Sequence, residues 1–326
     1  MIRWSLFVAL VLGLAGFVAL LLYNGFGAIL AGIAAVGWAL VLIVAIRLVA
    51  LAIAGTAWSA ALGQAVRAPL AGLIGLRIIR EAINCLLPAA QIGGDLIGGR
   101  LLAQRGVAPG LAMAGILVDV LLQTATQGLF ALAGLAVLWL GFGDGPVVRD
   151  LGWGVVAAVP ALGGFFMAQR FGLFAIVDRS LAVLRRFWPR LGLERPLDLQ
   201  PSLRRFYDAP AALGRSAALH LLGWAIGTAE IWLALTRMGQ QPSAGEALVL
   251  ESLGQAVRSA GFAVPGALGI QEGGFILLGS MFGLGAANAV ALSLVKRLPD
   301  LAIGLPGLVY WQALEAAWLR RLDHPA

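Results

Sequence analysis

Apolar stretches dominate this chain, and their lengths predict membrane-spanning helices. Residues 4–22 and 28–54 are each long enough to cross about 30 Å of hydrocarbon, with Tyr23, Asn24 and Gly25 as the turn between them. Residues 107–141, 151–168, 213–238 and 284–318 supply four more spans, the last interrupted by Pro299 and Pro306. Two further apolar segments are broken. Residues 70–87 predict a helix of roughly 27 Å, ended by Pro88 and the Gly93-Gly94 pair, and 95–105 predict a return arm of about 16 Å. Residues 247–264 and 272–282, broken at Pro265 and Gly269, predict a second pair of arms.

The charges between these segments orient them. The loop 55–69 carries Arg67 and no acid, so it is expected in the cytoplasm. Arg67 stands at one foot of the first broken pair, Arg100 and Arg105 at the other, which predicts a re-entrant hairpin entered from the cytoplasm. Nine arginines between 170 and 215 are the strongest cytoplasmic signal. Within them Leu181, Leu184, Arg185, Arg186 and Phe187 fit either an amphipathic helix on the membrane surface or a solvated loop. No Lys or Arg occurs between 259 and 295, so the second hairpin is expected to open outside, while Arg320 and Arg321 hold the C-terminus in the cytoplasm. Arg237, near an outer end, fits this scheme poorly. The start, Met1 to Trp4 followed by an apolar run to Leu22, reads as a retained first span rather than a cleaved signal.

The expected fold is all-α. It is a polytopic membrane protein with one transmembrane domain over 1–326, about six full spans plus two re-entrant hairpins (eight hydrophobic segments), and an Arg-rich cytoplasmic loop at 170–212. An ungapped shift of 177 places Pro88 on Pro265, Asp95 on Glu272 and Gly106 on Gly283. Eight identities fall between 88 and 118, where this composition gives about three or four by chance. The repeat covers about 28–141 and 205–318, and its two copies enter the membrane from opposite sides. Inverted repeats with broken helices are a recurring design of alternating-access carriers.

Composition sharpens this picture. Of 326 residues 60% are hydrophobic and 12% charged, against about 25% charged in soluble domains, and mean hydropathy is +0.92. The pI near 10.9 comes almost wholly from arginine, 22 of 23 basic residues. These gather between apolar spans, which points to anionic headgroups and away from nucleic acid. Cys85 is the single cysteine and His220 and His324 the only imidazoles, so no internal disulfide, metal cluster or other cofactor is expected. No phosphate-binding loop, nucleophile elbow or zinc-protease motif occurs, and 170–212 is short for a catalytic domain. The expected role is not enzymatic.

Charges inside apolar helices cost at least about 2.5–3.5 kcal/mol each on insertion scales. Arg77, Arg80, Glu81 and Asn84 share neighbouring parts of one helical face, as do Glu251, Gln255 and Arg258. Two readings fit: structural ion pairs Arg80/Glu81 and Glu251/Arg258, or an Arg258 that binds an anionic headgroup. Asp95 and Glu272 open the return arms, as helix caps or as proton- or cation-coupled groups. Asp119, Gln123 and Thr126 form a polar stripe, and Lys296, Arg297 and Asp300 hold the matching region of the other repeat. An Asp119–Lys296 bridge and a polar cavity lining both fit. His220 and Glu230 lie about 80° apart around their helix, too far for a metal pair, and His220 reads as packing. The candidate substrate-binding set is Asn84, Pro88, Gln91, Gly93, Gly94, Asp95, Asp119, Arg258, Pro265, Gly269, Glu272 and Arg297.

Asn84 and Pro88 followed by Gln91, Gly93, Gly94 and Asp95, then Asp119, resemble the lysylphosphatidylglycerol-synthase transmembrane-region (flippase-like) superfamily. Pro265, Gly269 and Glu272 followed by Lys296 and Arg297 do so again. The form Leu-Pro-Ala-Ala-Gln-Ile-Gly-Gly-Asp over 87–95 is most similar to the hopanoid-biosynthesis-associated branch, the HpnL type. The resemblance spans about 5–320. It implies a bacterial inner-membrane protein that moves a lipid between leaflets in hopanoid biosynthesis or transport, with hopanoid, phospholipid or polyprenyl phosphate and hopanoid-pathway proteins as partners. A polyprenyl-phosphate carrier or a non-transporting pathway scaffold are the alternatives. A lipid-acting membrane enzyme is a further rival, and would need a clustered acid–base pair facing one leaflet. The aminoacyl-transferase domain of the lipid synthases is not in this sequence, so aminoacylation does not carry over.

Overall fold

Seventeen-residue and longer apolar runs fold as helices because a helix satisfies its own backbone hydrogen bonds, the only arrangement besides a closed barrel that lipid permits. A computed structural model describes residues 21–23, 25–66, 68–87, 92–142, 199–261 and 264–323, with isolated positions besides. The expected span 151–168, the surface helix around Leu181–Phe187 and most of the first span lie outside the described residues. In chain order the helices are α1 (Phe26–Val36), α2 (Ala39–Leu62), α3 (Leu70–Leu86), α4 (Gly93–Ala103), α5 (Pro109–Phe142), α6 (Leu199–Tyr207), α7 (Pro210–Arg237), α8 (Ala244–Ala260), α9 (Ile270–Ser280) and α10 (Ala286–Asp323). No strand occurs among the described residues. Helices α2, α5 and α7 are long and apolar enough to cross a membrane, and outward residues such as Val41, Val49, Leu129 and Leu140 suit contact with lipid.

Several boundaries differ from expectation. The run 28–54 is not one helix: Gly37, at φ +53°, separates α1 from α2, a conformation open to glycine at little cost. The expected loop at 55–69 is helical as far as Leu62 and then makes a 3-10 turn over Gly63–Ala65. Pro299 and Pro306 do not interrupt α10, which runs through both. Each removes one backbone donor, a defect that membrane helices tolerate when neighbours supply partners. The arms of the broken segments fall as expected. Under the 177-residue shift Gly93 maps onto Ile270 and Ala103 onto Ser280, so α4 and α9 share their bounds.

The chain divides into two compact units. The first comprises Met1–Leu51, Arg77–Gly94 and Ile226–Ala326; the second, Ala52–Leu76 and Asp95–Ala225. In the first, α1 and α9 pack on α10 around Ile29, Val290 and Ala291. Glycines permit the closest approaches: a Cβ at Gly307 would lie 2.9 Å from Ala82 of α3, and one at Gly227 of α7 would lie 2.6 Å from Glu251 of α8. In the second unit, the apolar face of α6 (Leu199, Leu203, Phe206) is buried against α5. There Trp224 of α7 donates to Thr126 of α5 at 3.3 Å.

The first broken segment closes through Gly94, whose N–H donates to Asn84 Oδ1 at 2.8 Å. A Cβ there would lie 2.1 Å from the Arg80 carbonyl oxygen, whereas one at Gly273 on α9 meets nothing within 4 Å. Gly94→Ala is expected to destabilise the protein by about 1–3 kcal/mol. Gly273→Ala should be neutral or stabilising by up to about 1 kcal/mol. Unfolding in detergent micelles compares the two.

Candidate functional site

Arg47 lies two turns into α2, a helix with no other charged residue. A guanidinium there needs counter-charges from neighbouring helices, and it has two. Its Nε and Nη2 donate to the two carboxylate oxygens of Glu230 on α7 at 2.8 and 2.7 Å, and Nη1 donates to Asp300 on α10 at 3.2 Å. Glu230 also accepts from Lys296 Nζ at 3.1 Å, and Lys296 donates in turn to Glu251 on α8. Glu251 accepts from Gln255, one turn along the same helix, at 3.1 Å. Asp300 accepts from Arg258 Nη2 at 2.9 Å. Three cations and three carboxylates from four helices thus form one neutral network, with Glu230, Glu251 and Lys296 fully buried.

The last turns of α3 extend the network. Arg258 Nη2 reaches Cys85 Sγ at 3.5 Å, the Cys85 thiol donates to Glu81 at 3.3 Å, and Glu81 accepts from Arg77 at 3.1 Å. A crevice of about 10 Å³ lies here, lined by Arg47, Glu81, Cys85, Asp300 and their apolar neighbours. That is room for about one water molecule. The ion pairs therefore differ from those expected. Arg77 replaces Arg80 as a partner of Glu81, because residues four apart face each other on a helix and adjacent ones do not. Glu251 pairs with Lys296 and Arg258 with Asp300, since α10 passes close enough to intervene.

A second cluster shapes the tip between α8 and α9. Pro265–Ala267 make a 3-10 turn. Gly266, Ala267 and Gly269 have φ values of +65°, +48° and +80°. A non-glycine residue in this left-handed region costs roughly 1–3 kcal/mol. Arg297 of α10 holds the turn in place: Nη1 donates to the Gly266 carbonyl at 2.7 Å and Nε to Glu272 at 2.9 Å. Glu272 accepts from the Gly269 N–H at 2.7 Å, capping α9, and from Ser293 at 2.9 Å. Buried Gln271 donates to Ser293 at 2.8 Å. Backbone groups at the helix break are thus met by side chains: carbonyls by Arg297 of α10 and the Gly269 N–H by Glu272 of α9.

The structure distributes the candidate residues among four places. Pro265, Gly269, Glu272 and Arg297 meet at the second tip. Asn84, Gly93 and Gly94 lie at the closing of the first, and Pro88 and Gln91 lie outside the described residues. Asp95 sits in the first turn of α4. Arg258 joins the charge network, and it shares no partner with Arg297 among the described residues. Asp119, in the other unit, accepts or shares a hydrogen bond with His220 Nε2 at 3.1 Å. His220 is therefore a polar partner as well as a packing residue, and the expected Asp119–Lys296 bridge gives way to Asp119–His220 and to Lys296 with Glu230 and Glu251. Arg237, awkward in the orientation scheme, stands 5.6 Å from the centre of the Trp38 ring, a favourable cation–π placement.

Sequence reasoning passed over Arg47 and left Glu230, Asp300 and Cys85 out of the site. The available signal was a lone charge in an apolar run, which requires a partner whatever its identity. Lys296 bridges two buried carboxylates, so Lys296→Met is expected to cost about 3–5 kcal/mol, much of it from charge left unpaired. Adding Glu251→Leu should restore part of that loss. Unfolding of the single and double variants in micelles measures the recovery.

Nothing among the curated proteins or the solved structures matches the chain. The sequence pattern of the lysylphosphatidylglycerol synthase TM region matches residues 5–307, a stretch that includes both tips and the whole charge network. The chain accordingly belongs to the lysylphosphatidylglycerol synthase TM region family, and is a multi-pass membrane protein of lipid metabolism or transport.

Proposed function

We propose that this protein translocates a polar-headed lipid between the leaflets of a bacterial inner membrane, and that the charge network is the gate that opens and recloses around the headgroup. The network itself carries the proposal. Six ionic groups in apolar surroundings are a costly way to hold four helices, because well-packed apolar residues often do so as well or better. A balanced network can instead exchange partners. Asp300 lies between Arg47 and Arg258, and Glu230 between Arg47 and Lys296, so one of these pairs can part while Asp300 or Glu230 keeps a second cation. Arg258 is the member suited to the headgroup. Its guanidinium fork matches phosphate, and its described partners are one carboxylate and a thiol.

In this role the chain is not an enzyme, both termini lie in the cytoplasm, and its partners are membrane lipids and proteins of the hopanoid pathway. The hopanoid link is supported by the likeness of residues 87–95 to the HpnL-type branch. A polyprenyl-phosphate carrier is less well supported, because Arg258 and Arg297 hold separate partners. A scaffold that transports nothing is favoured by one observation, the near-dry crevice of about 10 Å³ beside fully paired network charges.

Vesicles reconstituted with wild type, Arg258→Gln or Glu272→Gln test the proposal. Fluorescent phospholipid, polyprenyl phosphate and an extended hopanoid are offered separately, and movement between leaflets is followed. One lipid is expected to move, at a rate at least about tenfold lower in Arg258→Gln, the loss of roughly one charge-assisted hydrogen bond. Cys85, the single cysteine, reports opening directly: its labelling by an impermeant maleimide should change when that lipid is present. Correctly inserted wild type that moves none of them, with Cys85 labelling indifferent to lipid, would establish the scaffold instead.

A further inference from the structure

The second unit holds a cavity with no residue of the charge network in its wall. Its volume is about 700 Å³, within the roughly 300–1,000 Å³ usual for ligand pockets. Three pieces of chain line it: the end of α2 with the turn Gly63–Ala65, the end of α6 with its linker, and the first turns of α7. Most of the wall is apolar, including Ala61, Leu62, Phe206, Ala211 and Leu219. Arg205 and Arg215 also line it, both exposed, and among the described residues no acidic side chain does. Neither guanidinium has an ion-pair or hydrogen-bond partner among the described residues, in contrast to the saturated cations of the first unit.

Position adds to this chemistry. The cavity lies where α2 ends and α7 begins, and both helices have the length and hydropathy of membrane spans. Span ends lie at the boundary between hydrocarbon and headgroups. A ligand there meets cations on one side and apolar wall on the other. Guanidinium forks match phosphate oxygens, and basic pockets between membrane helices are where anionic headgroups bind. A free inorganic anion would leave the apolar wall unused.

We propose that this cavity holds an anionic phospholipid, its phosphodiester between Arg205 and Arg215 and the start of an acyl chain along Leu62 and Ala211. It is a second lipid site, separate from any lipid handled at the network, and its test does not read lipid movement. Full-length protein in neutral detergent is titrated with short-chain phosphatidylglycerol, phosphatidylcholine and inorganic phosphate, and bound ligand is counted by native mass spectrometry. Phosphatidylglycerol alone is expected to bind well. Near-surface arginines contribute about fivefold each, so Arg205→Gln with Arg215→Gln should weaken it roughly 25-fold, while the paired Lys variants keep most of the affinity. Ala211→Trp should weaken phosphatidylglycerol and leave phosphate unchanged. Because both arginines are exposed, the ligand-free variants should unfold like wild type. Equal binding of phosphatidylcholine, binding of phosphate as tight as that of phosphatidylglycerol, or full affinity in the folded Gln variant would each overturn the proposal.

Discussion

An ionic group inside apolar surroundings must find an opposite charge, and much of the first unit follows from that requirement. Arg47 alone would make α2 costly to insert. Paired with Glu230 and Asp300 it ties α2 to α7 and α10, and Lys296 extends the tie to Glu251 on α8. The glycines are consistent with this demand. Gly227 lets Glu251 lie against α7, and Gly304 and Gly307 let α10 approach α3 closely enough for Asp300, Arg258 and Cys85 to meet. The helix positions and the pairing support each other, so neither is adjustable without the other.

The second tip obeys the same rule for backbone groups. A helix broken at Pro265 leaves carbonyls that lipid cannot solvate. Arg297 takes the Gly266 carbonyl and Glu272 takes the Gly269 N–H, and the two side chains then neutralise each other. The left-handed Ala267 is strain held in place by those bonds. The first tip closes differently, through the neutral amide of Asn84. Among the described residues, the second break is thus held by an ion pair and the return arm of the first is met by an amide.

The two units use charge in opposite ways. In the first, every network cation is matched by a carboxylate and the adjoining space is about 10 Å³. In the second, Arg205 and Arg215 face a cavity of about 700 Å³ without described acidic partners. A self-neutral network and an unneutralised cavity are two different electrostatic environments, each within its own unit.

The all-helical character, the two broken segments, the bounds of α3 and, to within two or three residues, those of α4, α7 and α9 were legible in the residues, because apolar run length and the Pro and Gly breaks are local properties. So were the tip members Gly269, Glu272 and Arg297 as residues of interest. Their partners were not. Glu251 and Arg258 share a helical stripe, yet each bonds to α10, and Asp119 turns to His220 rather than to Lys296. Arg47 drew no notice because nothing near it in sequence is charged; its carboxylates lie 183 and 253 positions away. Local sequence determines that a buried charge must be paired. Only the packing of helices, set by where small residues allow close approach, decides with which partner.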